Sequence, residues 1–147
     1  MSEIEILKTS NVKITMNKGN NLLTLKVKDD EYNESGFNEC LEYIKSSWEY
    51  IKNEKLKYSF LIDMGTSAKE HELPIHAYIK VVNMISNLNE ILVNHCHCVV
   101  ILTEGSTKWQ QMYEFITKLW TPEKQRPLKF TESVDEATAF MINNKLL

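Results

Sequence analysis

The chain has 147 residues, 43% of them hydrophobic and 25% charged, with a formal net charge of -3 at pH 7. This length supports a single domain spanning 1–147 around one core, and the scarcity of glycine and proline excludes collagen-like, low-complexity and disordered classes. Three cysteines, Cys40, Cys96 and Cys98, are too few for a disulfide scaffold. With no apolar leader and no apolar run near the roughly 18 residues that a span needs, the expectation is a cytoplasmic protein with no membrane span.

Arg126 is the only arginine among 17 basic residues. Forked guanidinium contacts to guanine edges and phosphates are therefore scarce, and no nucleic-acid partner is expected. Charge is uneven along the chain. Residues 6–28 hold Lys8, Lys13, Lys18, Lys26 and Lys28 with no acid, whereas residues 29–54 hold eight acids against Lys45 and Lys52. The plain reading of such runs is the wet side of strands and a helix.

Ile4 and Ile6 suggest a short first strand. Val12, Ile14 and Met16 alternate with Lys13 and Thr15, and Leu23, Leu25 and Val27 alternate with Thr24 and Lys26, which predicts two half-buried strands. The segment Asn17-Lys18-Gly19-Asn20-Asn21 between them supplies residues that tolerate positive φ, so the pair should form an antiparallel hairpin. Phe37, Cys40, Leu41, Ile44, Trp48 and Ile51 recur at spacings of three and four, predicting a helix over about 37–52 with an acidic outer side and a left-handed stop at Asn53.

Tyr58 to Asp63 reads as a strand covered on both faces. Pro74 then opens a long helix carrying Ile75, Tyr78, Ile79, Val82, Ile85, Leu88 and Leu92, which Ser86-Asn87-Leu88-Asn89 could bend or interrupt. Cys98 to Thr103 is a second buried strand. Ser106 is an N-cap for a third helix marked by Trp109, Met112, Tyr113, Ile116, Leu119 and Trp120 and stopped at Thr121-Pro122. Leu128 to Phe130 is a short edge strand, and Ser133-Val134-Asp135-Glu136 is a capping box opening a last helix with Ala137, Phe140 and Met141 inward. The fold class is α/β: an N-terminal antiparallel hairpin, then parallel strands joined by right-handed crossovers, with about four helices.

This element order resembles the STAS or anti-sigma-factor-antagonist fold. The likeness covers Val12 to Met141, through the buried strand Phe60 to Asp63 with its following loop and the ending Phe130-Thr131-Glu132-Ser133-Val134-Asp135-Glu136-Ala137. The resemblance implies a regulatory module with a phosphorylatable hydroxyl beyond the second long buried strand. The family's Asp-Ser-x-Gly motif is absent there, and Thr66 and Ser67 match by location. Small relatives of lipid-binding Sec14-type domains share a similar sheet.

Candidate chemistry is sparse. His95-Cys96-His97-Cys98 holds four ligand-type side chains, but consecutive strand residues point to opposite faces and cannot converge on one tetrahedral ion, so the expectation is core thiols beside surface imidazoles and no metal. Asp29, Asp30, Asp63, Thr103 and Lys129 stand in the order of a response-regulator receiver, though that domain needs five strand–helix repeats. Gly105-Ser106-Thr107 lacks a phosphate-cradling fingerprint, and no serine or cysteine sits in a recognisable nucleophile elbow.

The expectation is a non-enzymatic interaction module without a cofactor, docking a protein partner at an edge built from Asp63, Thr103 and Ser106, with Thr66 and Ser67 as candidate phosphoacceptors. The alternative is a domain that binds an apolar small molecule or lipid, prompted by the apolar second helix, the three tryptophans and Tyr50. The charge asymmetry predicts a monomer or a weak, salt-sensitive homodimer.

Overall fold

The computed structural model describes residues 3–9, 12–27, 33–65, 75–103 and 126–145. Its centre is a six-stranded sheet, β1 (Glu3–Lys8), β2 (Val12–Asn17), β3 (Leu22–Val27), β4 (Tyr58–Gly65), β5 (Cys96–Thr103) and β6 (Leu128–Thr131), whose spatial order is the chain order. β1, β2 and β3 are antiparallel neighbours, while β3, β4, β5 and β6 run parallel. Four helices are described: α1 (Glu34–Asn53), α2 (Ile75–Asn87), α3 (Asn89–His95) and α4 (Val134–Asn143). The protein is thus an α/β fold with an N-terminal hairpin and a parallel continuation. The predicted helix over Trp109 to Trp120 lies outside the described residues.

Because parallel strands added in chain order by crossovers of one hand return over the same side, α1, α2 and α3 share one face of the sheet. Val12, Ile14, Leu23, Leu25, Phe60 and Ile62 point into it and meet Phe37, Ile44, Trp48, Ile51, Ile85 and Leu92 in the main core. Trp48 is fully buried, with its ring 5.7 Å from that of Phe60 in an edge-on pair at 68°. α4 covers the other face, where Ala137, Phe140 and Met141 pack on Leu61, Cys98 and Val100. That double cover explains why every residue of β5 is buried.

β5 opens on a bulge. Tyr58 pairs with Cys96 and Phe60 with Val99, so two residues of β4 face three of β5, and Cys96 and Val99 reach the same face despite their odd spacing.

The hairpin turn follows the predicted chemistry. Asn17 Oδ1 accepts from the N–H groups of Gly19 and Asn20 at 2.9 and 3.2 Å, and Asn21 takes φ 53°. α1 starts at Asn33, whose Oδ1 accepts from Gly36 N–H at 2.8 Å. The helix ends at Asn53, but Lys55 and not Asn53 takes the left-handed conformation, with φ 57°. The N–H groups of Leu56 and Lys55 then donate to the carbonyls of Ile51 and Lys52, a Schellman closure. The apolar stripe runs on to Ile51 and Leu56, and packing both on the core moves the turn outward.

The long predicted helix is interrupted at Leu88, where α3 begins without a side-chain cap. Leu88 is itself buried, so the break keeps Leu88 and Leu92 in the core. Lys80 of α2 ties back to α1, its ammonium 3.0 Å from Glu34 Oε1 and 3.0 Å from Asn38 Oδ1. That ammonium holds the Glu34 carboxyl below the usual range.

The α4 capping box carries an extra link. Glu136 N–H donates to Ser133 Oγ at 3.1 Å, whereas the Glu136 carboxylate accepts from Thr131 Oγ1 at 2.6 Å, and Ser133 N–H donates to that same Thr131 oxygen at 3.0 Å. Thr131, the last residue of β6, thereby relays the reciprocal bond of the box and fixes the strand-to-helix corner. Ser133→Ala should cost about 1 kcal/mol, a fall in Tm of about 2–4 °C, readable in a thermal melt.

Candidate functional site

The predicted partner edge is at the carboxyl ends of β4 and β5. Asp63 stands in register with Lys26 on one side and Leu102 on the other, and Gly65 with Thr103. Asp63 is half-buried and Thr103 buried. The strand ends are neighbours, but alternation separates the side chains: Thr103 follows Val99 and Ile101 on the α1 face, and Asp63 follows Ser59 and Leu61 on the α4 face. Carboxylate and hydroxyl share an edge and not a cleft. Thr66, Ser67 and Ser106 lie outside the described residues, as do Asp29 and Asp30. Lys129, the remaining member of the receiver-like set, lies under α4 with its ammonium 5.9 Å from the Phe140 ring centre, on the face opposite Thr103.

The His-Cys-His-Cys segment divides between environments. His95 ends α3 and is half-buried, its Nδ1 lying 2.8 Å from the Leu56 carbonyl, a contact that only a proton on Nδ1 satisfies. It borders a cleft of about 440 Å³ lined by Lys52, Asn89, Glu90, Asn94, Ile91 and Val93, half polar and half apolar. His97 is 7% exposed, so it is not the surface imidazole expected. It lies in the bulge, beside the charges of Arg126, Lys57 and Lys145. Cys40, Cys96 and Cys98 are buried and free. Burial pushes the Cys40 thiol up to about 12 and Cys98 to about 11, and drives Cys96 higher still; thiols held so far from ionising are poor nucleophiles and poor metal ligands. Among the described residues no three His, Cys, Asp or Glu side chains gather as a metal site.

Arg126, singled out from the sequence only for its rarity, grips the bulge. Its Nε donates to the carbonyls of Cys96 and His97 at 3.1 and 3.2 Å, and its Nη2 to His97 at 3.1 Å. Burial, and then the positive charges of Lys145, Arg126 and Lys57, hold His97 below its ordinary value of 6.5, against a backbone hydrogen bond at Lys57 that raises it. Below pH about 6.5 the unfolded chain therefore takes up this proton before the folded one does, so stability should fall as pH drops through that value toward the depressed folded pKa. Melting curves between pH 7.5 and 5 should show this slope, and His97→Gln should flatten it.

An apolar groove of about 360 Å³ lies between β1 and α1, lined by Ile4, Ile6, Met16, Lys18, Tyr43 and Tyr50 among others. Ile4, Tyr43 and Tyr50 are each 40% or more exposed, and the Lys18 ammonium lies 6.0 Å from the centre of the Tyr50 ring. Of the aromatics named from the sequence as a ligand wall, Tyr50 belongs to this groove and Trp48 to the core. Tyr43 went unnoticed, because its contribution depends on where β1 lies beside α1.

No described helix is long and apolar enough to cross a membrane. Compared with family models, curated proteins and solved structures, the chain matches none.

Proposed function

We propose that the chain is a non-enzymatic regulatory module of the STAS or anti-sigma-factor-antagonist type, working in the cytoplasm without a metal or cofactor and docking a protein partner through the loops beyond Asp63 and Thr103. The observation that carries this reading is the topology: a hairpin followed by parallel strands in chain order sets the ends of β4 and β5 side by side. Ligands and partners of parallel sheets meet such carboxyl ends, where strands hand over to loops and helix starts. The inert thiols and the separation of Asp63 from Thr103 support a role without catalysis. Phosphate on Thr66 or Ser67 would add about -1.5 to -2 charges to the edge and repel an acidic partner surface. Phosphopeptide mapping of the protein from its native cells is expected to find that modification, and phosphate found only elsewhere would remove the switch.

A second reading, a domain for an apolar small molecule or lipid, is favoured by the groove between β1 and α1. Aromatic walls with one cation at the rim suit a small amphiphile bearing an anionic group. Native mass spectrometry separates the readings: a bare 17.2 kDa species or its dimer supports the first, and a retained extra mass lost on Tyr50→Ser supports the second.

A further inference from the structure

Strand pairing assembles a row that no sequence window contains. Lys8 of β1 pairs directly with Lys13 of β2, and Lys13 with Lys26 of β3. Directly paired residues point to the same face, so three lysines spread over 19 residues of sequence stand side by side at one end of the hairpin. Like charges in that arrangement are destabilising. The flanking acids are Glu5, whose carboxylate is 3.7 Å from the Lys13 ammonium, and Asp63, in register with Lys26. Lys8 and Lys26 are exposed and Lys13 is half-buried. The row lies on the face opposite α1, α2 and α3, and α4 packs over Leu61 and β5 rather than over β1 to β3.

We propose that this row binds an acidic polypeptide segment, a helix laid across the strands with carboxylates at i, i+4 and i+7. Neighbouring strands are about 4.8 Å apart, which puts the outer lysines about 10 Å from each other; seven residues of helix rise about 10.5 Å, so one carboxylate meets each ammonium. The same face carries Leu22 and Thr24, both half-buried, beside the row, and they offer a small, partly apolar floor to an amphipathic helix. The hairpin part of this face has no arginine and no aromatic ring among its described residues, and so lacks the stacking platforms and forks by which proteins hold nucleic acid. The row belongs to the hairpin and not to the loops beyond β4 and β5, so its test is independent of the phosphorylation switch.

The experiment is fluorescence anisotropy with a labelled alanine-rich helical peptide bearing glutamate at those three positions, run beside a twelve-residue oligothymidylate. Lys8→Gln, Lys13→Gln and Lys26→Gln together are expected to raise the peptide Kd at least tenfold, with binding weakening as salt rises, while Lys45→Gln with Lys52→Gln on α1 changes it less than twofold. Removing like charges should leave Tm unchanged or higher. If the triple variant does not fold, Lys8→Gln and Lys26→Gln singly, both at exposed positions, are each expected to raise the Kd about threefold. A Kd that these substitutions leave within twofold of the starting protein overturns the proposal. So does tighter binding of the oligothymidylate with the same dependence on the row, which would assign the face to nucleic acid.

Discussion

Trp48→Ala should be the most damaging single substitution in α1, costing about 3–5 kcal/mol and lowering Tm by about 10 °C or more. The side chain is fully buried between α1 and the sheet, edge-on to Phe60, so the deletion leaves a cavity that close-packed neighbours fill only in part. Trp48→Phe is the informative comparison. The indole Nε1 is the only buried side-chain nitrogen or oxygen among the described residues without a hydrogen-bond partner, and an unpaired buried donor costs about 1–3 kcal/mol. Phenylalanine removes that donor together with part of the ring, and the two effects oppose. Chemical denaturation should place Trp48→Phe at less than half the loss of Trp48→Ala. Equal losses in the two variants would mean that the ring's full volume outweighs the orphaned donor.

Arg126→Ala is expected to cost about 2–3 kcal/mol, because the Cys96 and His97 carbonyls at the β5 bulge lose charge-assisted donors. The same residue precedes Pro127, whose carbonyl accepts from Val99 N–H at 2.9 Å, so the guanidinium fastens the start of β6 against β5. Lysine should recover less than half of the loss, since one ammonium on a flexible stem cannot reproduce a planar fork spanning two carbonyls. The substitution has a second, separable signature. Removing one of the positive charges around His97 should bring that imidazole back toward its ordinary value and so shrink the fall in stability below pH 6.5. Urea titrations of Arg126→Ala and Arg126→Lys at pH 7.5 and 5.5 read both effects, and a pH dependence identical to that of the unsubstituted chain would separate Arg126 from the His97 environment.

The candidate site was legible only in part. Asp63 and Thr103 could be placed at the ends of buried strands because apolar runs terminate there, yet their assignment to opposite faces depends on strand alternation carried through a register shift between Asp63 and Gly65. The groove had Tyr50 as its single signal, since Ile4 and Ile6 read only as a short strand and Tyr43 lies outside the apolar stripe that predicts α1. Arg126 was conspicuous by rarity and silent about its role, because its partners are backbone carbonyls, which leave no trace in side-chain patterns.

Local periodicity by itself determined the hairpin, α1, the covered strands β4 and β5 and the α4 cap. A period of two or 3.6 residues and a side-chain oxygen at a helix start act within one or two turns of chain, so they are written where they operate. Tertiary structure alone decided what depends on distant residues. The left-handed turn after α1 fell at Lys55 because packing Ile51 and Leu56 on the core outweighed the left-handed preference of Asn53, His97 came to be buried at the bulge of β5, and register gathered Lys8, Lys13 and Lys26 into one row. Pairing partners are chosen by the burial of the whole opposite face, and that quantity exists only once the sheet has formed.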